Sequence, residues 1–123
     1  MSATQVIIAE DEAPLRQMLS ELLTDKGLDV AEAPDGVHAL ELVRSRPGVL
    51  LLLSDVKMPR MNGYELVEAA LALHPELKVV MMTAYAHDHP PPAALRAREI
   101  RTLVKPFDLD RLCDLVCDML ARP

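Results

Sequence analysis

Five short apolar runs, each followed by a stretch with helical periodicity, constrain this chain more than any other feature of its sequence. Gln5 to Ala9 is short, β-branched and stops abruptly at Glu10-Asp11-Glu12, as a buried strand does on reaching solvent. Leu28 to Ala33 predicts a second strand, Val49 to Ser54 a third ending at Asp55, Val79 to Met82 a fourth ending at Thr83, and Leu103-Val104 a fifth ending at Lys105-Pro106. The third run is apolar at every position through Leu53, which suits a central strand covered on both faces.

Between the runs, apolar residues recur at helical spacing. Leu15, Met18, Leu19, Leu22 and Leu23 stripe a first helix from Pro14 to Lys26, with Gly27 suited to its C-terminal cap. Val37, Leu40 and Val43 mark a second helix after the Pro34-Asp35-Gly36 turn, and Leu66, Val67, Ala70 and Leu71 a third. Pro90-Pro91-Pro92 confines any fourth helix to roughly Pro92 to Arg98. Leu109, Leu112, Cys113, Val116, Met119 and Leu120 stripe the last, beginning near Asp108. Five β-then-α units predict an α/β fold, with one parallel sheet between two helical layers and right-handed crossovers. The 123 residues, half of them apolar, suit a single domain over 1–123.

Composition excludes several function classes. With 19 acidic against 13 basic residues the chain carries a formal charge of −6, which repels nucleic acid. Val49 to Leu53 is the longest aliphatic run and falls far short of a membrane span, so the expectation is a soluble, cytoplasmic protein without membrane contact. Cys113 and Cys117, four apart on an apolar stripe, read as buried free thiols. His38 and His74 read as surface residues, Met58 and Met61 as packing beside a loop, and His87-Asp88-His89 as a solvated loop.

The strand ends carry the chemistry. In a parallel α/β sheet, ligands bind beyond the carboxyl ends of the strands, where Glu10, Asp11, Asp55, Thr83 and Lys105 all fall. Gathered carboxylates repel, by about 4 kcal/mol for two charges 4 Å apart at an effective dielectric near 20. Lys105 offsets one charge, and a hard divalent cation, Mg²⁺, is expected to offset the rest. Asp55 then becomes a candidate nucleophile toward phosphorus, since a carboxylate is ionised at neutral pH and requires no general base. Thr83 and Lys105 are placed to receive charge from a transferring phosphoryl group.

Four segments together resemble the receiver domain of two-component response regulators: Ile7 to Glu12, Asp55 to Gly63, Met82-Thr83-Ala84 and Val104 to Phe107. The resemblance implies a flavodoxin-like (βα)5 three-layer sandwich with strand order 2-1-3-4-5. It implies Asp55 as phosphoacceptor and Mg²⁺ held by Asp11, Asp55 and the Lys57 backbone carbonyl, with Glu10 on a metal water. Thr83 and Lys105 would contact the phosphoryl group, and the Lys105-Pro106 bond would be cis. The implied function is a phosphoprotein switch in signal transduction or a phosphorelay. It takes its phosphoryl group from a sensor histidine kinase or histidine phosphotransfer protein and signals to a downstream protein, as a monomer or a phosphorylation-dependent dimer. Such a chain is not an enzyme in the usual sense, although it assists its own phosphorylation and dephosphorylation.

Three positions depart from the family pattern. Glu10 stands where Asp is usual, and Thr102, where many members carry an aromatic switch, is too small to swing between buried and exposed positions. Pro90 to Pro92 and Arg98 predict a remodelled face around the fourth helix and fifth strand. Two rival readings are a phosphohydrolase of the haloacid dehalogenase type and a docking module that is never phosphorylated. The first would need a general acid at Lys57, and the second leaves the acidic pair, Asp55, Thr83 and Lys105 without a purpose.

Overall fold

A computed structural model describes residues 4–84, 92–96 and 100–121. Its elements alternate as β1 (Val6–Ala9), α1 (Ala13–Asp25), β2 (Val30–Ala33), α2 (Gly36–Ser45), β3 (Leu51–Asp55), α3 (Gly63–Leu73), β4 (Lys78–Thr83), α4 (Ala93–Arg96), β5 (Ile100–Val104) and α5 (Leu109–Ala121). All four strand pairings are parallel and the order is β2-β1-β3-β4-β5. This is the flavodoxin-like arrangement that the resemblance implies.

Alternation along the strands divides the core between two faces. Ile7, Ala9, Leu52, Val79 and Met81 face α2 and α3 through Ala39, Val43, Leu66, Val67 and Ala70. Val6, Ile8, Leu51, Leu53, Val80 and Met82 face α1 and α5 through Leu19, Leu23, Leu112, Val116 and Met119. Leu51, Leu52 and Leu53 have no exposed surface. Each contributes about 1.5–3 kcal/mol by burial, so the strand that ends in Asp55 is firmly anchored in the core.

Several boundaries differ from the sequence expectation, each for a local reason. The strand expected from Leu28 begins at Val30, because Gly27, at φ 88°, turns the chain so that the Leu28 N–H closes on the Leu23 carbonyl at 3.2 Å. The third strand starts at Leu51 rather than Val49, whose N–H is spent on the turn to Arg46 at 3.1 Å. The fifth runs from Ile100, longer than its apolar pair suggests, since pairing from Val79↔Ile100 to Thr83↔Val104 needs only backbone. Its Arg101 and Thr102 are exposed, as an edge strand tolerates.

Two side-chain expectations, for Cys117 and His74, are also corrected. Cys113 is buried but Cys117 only half-buried, though both are free thiols as expected. His38 is exposed yet bonded to Asp35, and His74 is half-buried with Nε2 3.2 Å from the Val43 carbonyl. Met58 and Met61 pack against the core beside their loop, as expected. The expectations for His87, Asp88, His89, Pro90, Pro91 and Arg98 lie outside the described residues.

Candidate functional site

The strand ends converge as the topology requires. β1 and β3 are neighbours in register Ala9↔Ser54, so Glu10 and Asp55 leave the sheet side by side. Carboxylate oxygens of Glu10, Asp11 and Asp55 all lie within 4.8 Å of one another. Glu10 is fully buried, Asp55 nearly so, and Asp11 exposed at the mouth.

Lys105 reaches this group from the end of β5. Its Nζ donates to Glu10 Oε1 at 3.0 Å and to Asp55 Oδ2 at 3.0 Å. The Lys105 N–H also bonds the Thr83 carbonyl at 2.7 Å, which fixes the lysine relative to the end of β4. Thr83 is buried there, and the Lys105-Pro106 bond is cis. Four of the side chains singled out from the sequence, Glu10, Asp11, Asp55 and Lys105, therefore cluster, with Thr83 beside them at the end of β4 and Lys57, exposed, in the loop that follows Asp55.

Electrostatics within the cleft are set by burial and by the charge imbalance. Burial pushes the Glu10 carboxyl up to about 7, helped by the charge of Asp55 and opposed by the Glu12 N–H, 3.0 Å from Glu10 Oε2, and by Lys105. For Lys105, burial pulls the ammonium down, yet hydrogen bonds to Asp55 and Glu10 outweigh it and leave the group above its usual 10.5. Three carboxylates with one ammonium among them form an all-oxygen donor set with excess negative charge, which fits a hard divalent cation.

The loop after Asp55 is held against the strand. The Gly63 N–H bonds the Val56 carbonyl at 2.8 Å, and a Cβ on Gly63 would stand 2.1 Å from the Asp55 carbonyl oxygen. Only glycine permits that approach. Asn62 then starts α3 with a capping box, accepting from the Glu65 N–H at 2.9 Å while Glu65 Oε1 accepts from the Asn62 N–H at 3.1 Å.

Two supports escaped the sequence reading. Arg16 donates from Nη1 to the Glu10 carbonyl at 2.8 Å and pairs through Nε with Glu32 at 3.4 Å, so α1 braces the chain between the two acidic positions. Asp35, at the start of α2, accepts from the His38 N–H at 2.8 Å and pairs with Arg60 at 3.4 Å. The i to i+6 separation of Glu10 and Arg16 carries no recognisable signal. Asp35 before a glycine did mark a turn, but its partner 25 residues away was not legible.

Comparison with known proteins decides the family, because the profile of the response regulator receiver domain matches residues 6–117. The chain belongs to that family. This receiver domain is 33% identical over 116 residues to the response regulator receiver protein CpdR of Brucella abortus, covering 94% of this chain and 96% of CpdR. It is 35% identical over 122 residues to the sensor kinase CckA of the same organism, but spans 13% of that protein. Among solved structures, the response regulator TrrA of Thermotoga maritima, in complex with Mg²⁺ and BeF, superposes with a TM-score of 0.81 at 26% identity, covering 94% of this chain and 98% of TrrA. The cleft described above is the acidic pocket of a receiver domain.

Proposed function

We propose that Asp55 is the phosphoacceptor of this receiver domain and that Mg²⁺ is held by Asp11, Asp55 and the Lys57 backbone carbonyl, with Glu10 on a metal-bound water. The observation that carries this reading is the position of Asp55, at the end of a fully buried strand, with Oδ2 3.0 Å from Lys105 and a carboxylate oxygen within 4.8 Å of those of Glu10 and Asp11. Bound there, the cation would supply charge neutralisation for the acidic group and for the incoming phosphoryl oxygens. The TrrA complex with Mg²⁺ and BeF supports that choice of metal.

Each side chain then has a role that follows from its surroundings. Asp55 attacks phosphorus through a carboxylate oxygen, and the phosphoryl group leaves its donor in the same step. Lys105, cationic throughout the physiological range, stabilises charge on the transferred group, and Thr83 offers its hydroxyl to a phosphoryl oxygen. Glu10 and Arg16 hold the neighbouring chain in place. The donor is a phosphohistidine on a sensor histidine kinase or a phosphotransfer protein. Phosphorylation adds negative charge at the sheet edge and draws Thr83 inward, shifting a two-state equilibrium read by a downstream protein.

The remaining properties follow from the same reading. We take residues 1–123 as one receiver unit, cytoplasmic, acting as a monomer or a phosphorylation-dependent dimer, and not as an enzyme with a separate substrate. It assists its own phosphorylation and dephosphorylation. Among the described residues no helix is long and apolar enough to cross a membrane. Thr102 is exposed on β5, which favours a switch without an aromatic flip at that position. A hydrolase is disfavoured because Lys57, two residues after Asp55, stands where that chemistry needs a carboxyl group as general acid.

Incubation with acetyl phosphate, with and without Mg²⁺, tests the assignment. Intact-mass analysis should show one phosphoryl adduct that depends on Mg²⁺ and is lost in Asp55→Asn. Labelling that persists in Asp55→Asn would overturn it.

A further inference from the structure

Arg60 adopts φ 72°, the only positive φ at a non-glycine among the described residues. L-residues enter this left-handed region rarely and at a cost, so something must hold Arg60 there. Three contacts do so. The Met61 N–H closes a tight turn on the Pro59 carbonyl at 2.8 Å. Met61 packs so closely on the start of α2 that a Cβ on Gly36 would stand 2.7 Å from its carbonyl oxygen. Finally, Arg60 Nη1 lies 3.4 Å from Asp35 Oδ2.

The Asp35 end of this contact is the fixed one. Its side chain is 10% exposed against 58% for Arg60, and its carboxylate is already held by the His38 N–H at 2.8 Å and by His38 Nδ1 at 2.9 Å. Those hydrogen bonds and the Arg60 guanidinium keep the Asp35 carboxyl below its ordinary range. Asp35 is therefore a rigid anion, and Arg60 is the arm that closes on it.

The clasp bears on the site through the span of chain it delimits. At one end Val56 is fixed, its N–H on the Met82 carbonyl at 2.9 Å and its carbonyl on the Gly63 N–H at 2.8 Å. At the other end stands Arg60. Lys57 lies between these two anchors, so the direction of its carbonyl depends on both.

We infer that Arg60 is a positioning residue: by clasping Asp35 on the β2–α2 turn, it holds the loop from Lys57 to Asn62 so that the Lys57 carbonyl faces the cation site. This rests on the metal assignment proposed above, and it predicts an effect on Mg²⁺ affinity of opposite sign to simple electrostatics. Removing a cation from the neighbourhood of a divalent ion should tighten binding through space, whereas releasing the clasp should weaken it.

Isothermal titration of Mg²⁺ into the unphosphorylated protein separates the two. Arg60→Ala and Asp35→Asn should each raise the dissociation constant about two- to five-fold, the range open to a partly exposed ion pair. Asn caps a helix as well as Asp does, so α2 still starts normally in the second variant. Both changes together should do no more than the larger single one, because they break the same contact. Arg60→Lys, retaining a cation on a flexible stem, should recover part of the loss. Arg60→Gly, which accepts the positive φ without strain but lacks the guanidinium, should weaken binding as Arg60→Ala does. Unchanged or tighter binding in both Arg60→Ala and Arg60→Gly would overturn the clasp alone. Failure of the wild-type protein to bind Mg²⁺ would overturn the metal assignment on which it rests.

Discussion

Replacing Glu10 with Gln should flatten the pH dependence of stability in the metal-free protein. Glu10 has no exposed surface, and burial, followed in the same direction by the charge of Asp55, raises its carboxyl from 4.5 to about 7. Between those values the folded chain holds a proton that the unfolded chain has released, so folding is favoured at low pH and stability falls as pH rises. The contribution is complete below pH 4.5 and gone once pH has passed about 7. At 1.36 kcal/mol for each pH unit, it amounts to about 3 kcal/mol. Gln retains the size of the side chain and a carbonyl oxygen for Lys105, but has no proton to release.

The other resolved shifts leave this window clear. Asp35, with its carboxyl lowered, stabilises the fold above its ordinary 3.8 and loses that contribution only as pH falls further. Lys105, raised above 10.5, loses its contribution only in strong alkali. Urea denaturation followed by circular dichroism, in EDTA and at half-unit steps from pH 4.5 to 7.5, measures the effect. The wild type should lose about 3 kcal/mol relative to Glu10→Gln across the window. Parallel curves for the two proteins would refute the reasoning, since the titrating group would then be another. Saturating Mg²⁺ should offset the loss in the wild type at the upper end, because the cation binds the ionised carboxylates of the folded state.

Further changes probe the cleft and its supports. Lys105→Met strips two carboxylates of their partner and should cost about 2–3 kcal/mol in metal-free stability, read by the urea midpoint. The same change should slow labelling by acetyl phosphate about 100-fold. Gly63→Ala forces a methyl into the Asp55 carbonyl and should destabilise by about 3 kcal/mol or more, with Mg²⁺ titration reporting the displaced loop. Asn62→Ala removes one half of the capping box and should cost about 1 kcal/mol in thermal stability while labelling of Asp55 persists.

Much of the architecture was legible because strands and helices bury apolar surface with different periods. Leu51 to Leu53 are apolar without interruption because helices cover both faces of the sheet there, and that pattern located the central strand. β5 was legible only at Leu103-Val104, since an edge strand is held by backbone pairing and leaves Arg101 and Thr102 free to be polar. The start of β2 was misplaced because Leu28 is apolar for a different reason. It packs beside α1 and α5 where Gly27 reverses the chain.

For the candidate site, residue type and position at the strand ends singled out Glu10, Asp11, Asp55, Thr83 and Lys105, and the structure gathers the three carboxylates around Lys105. A parallel sheet brings all its carboxyl ends to one edge whatever the intervening sequence, so order along the chain determined their company. What the tertiary structure alone decided was how that company is held: the double contact of Lys105, the brace from Arg16, and the clasp of Arg60 on Asp35. Each joins positions on different elements, at separations that follow from how helices and loops pack over the sheet. No local pattern encodes such distances, because the free energy that selects them belongs to the assembled core.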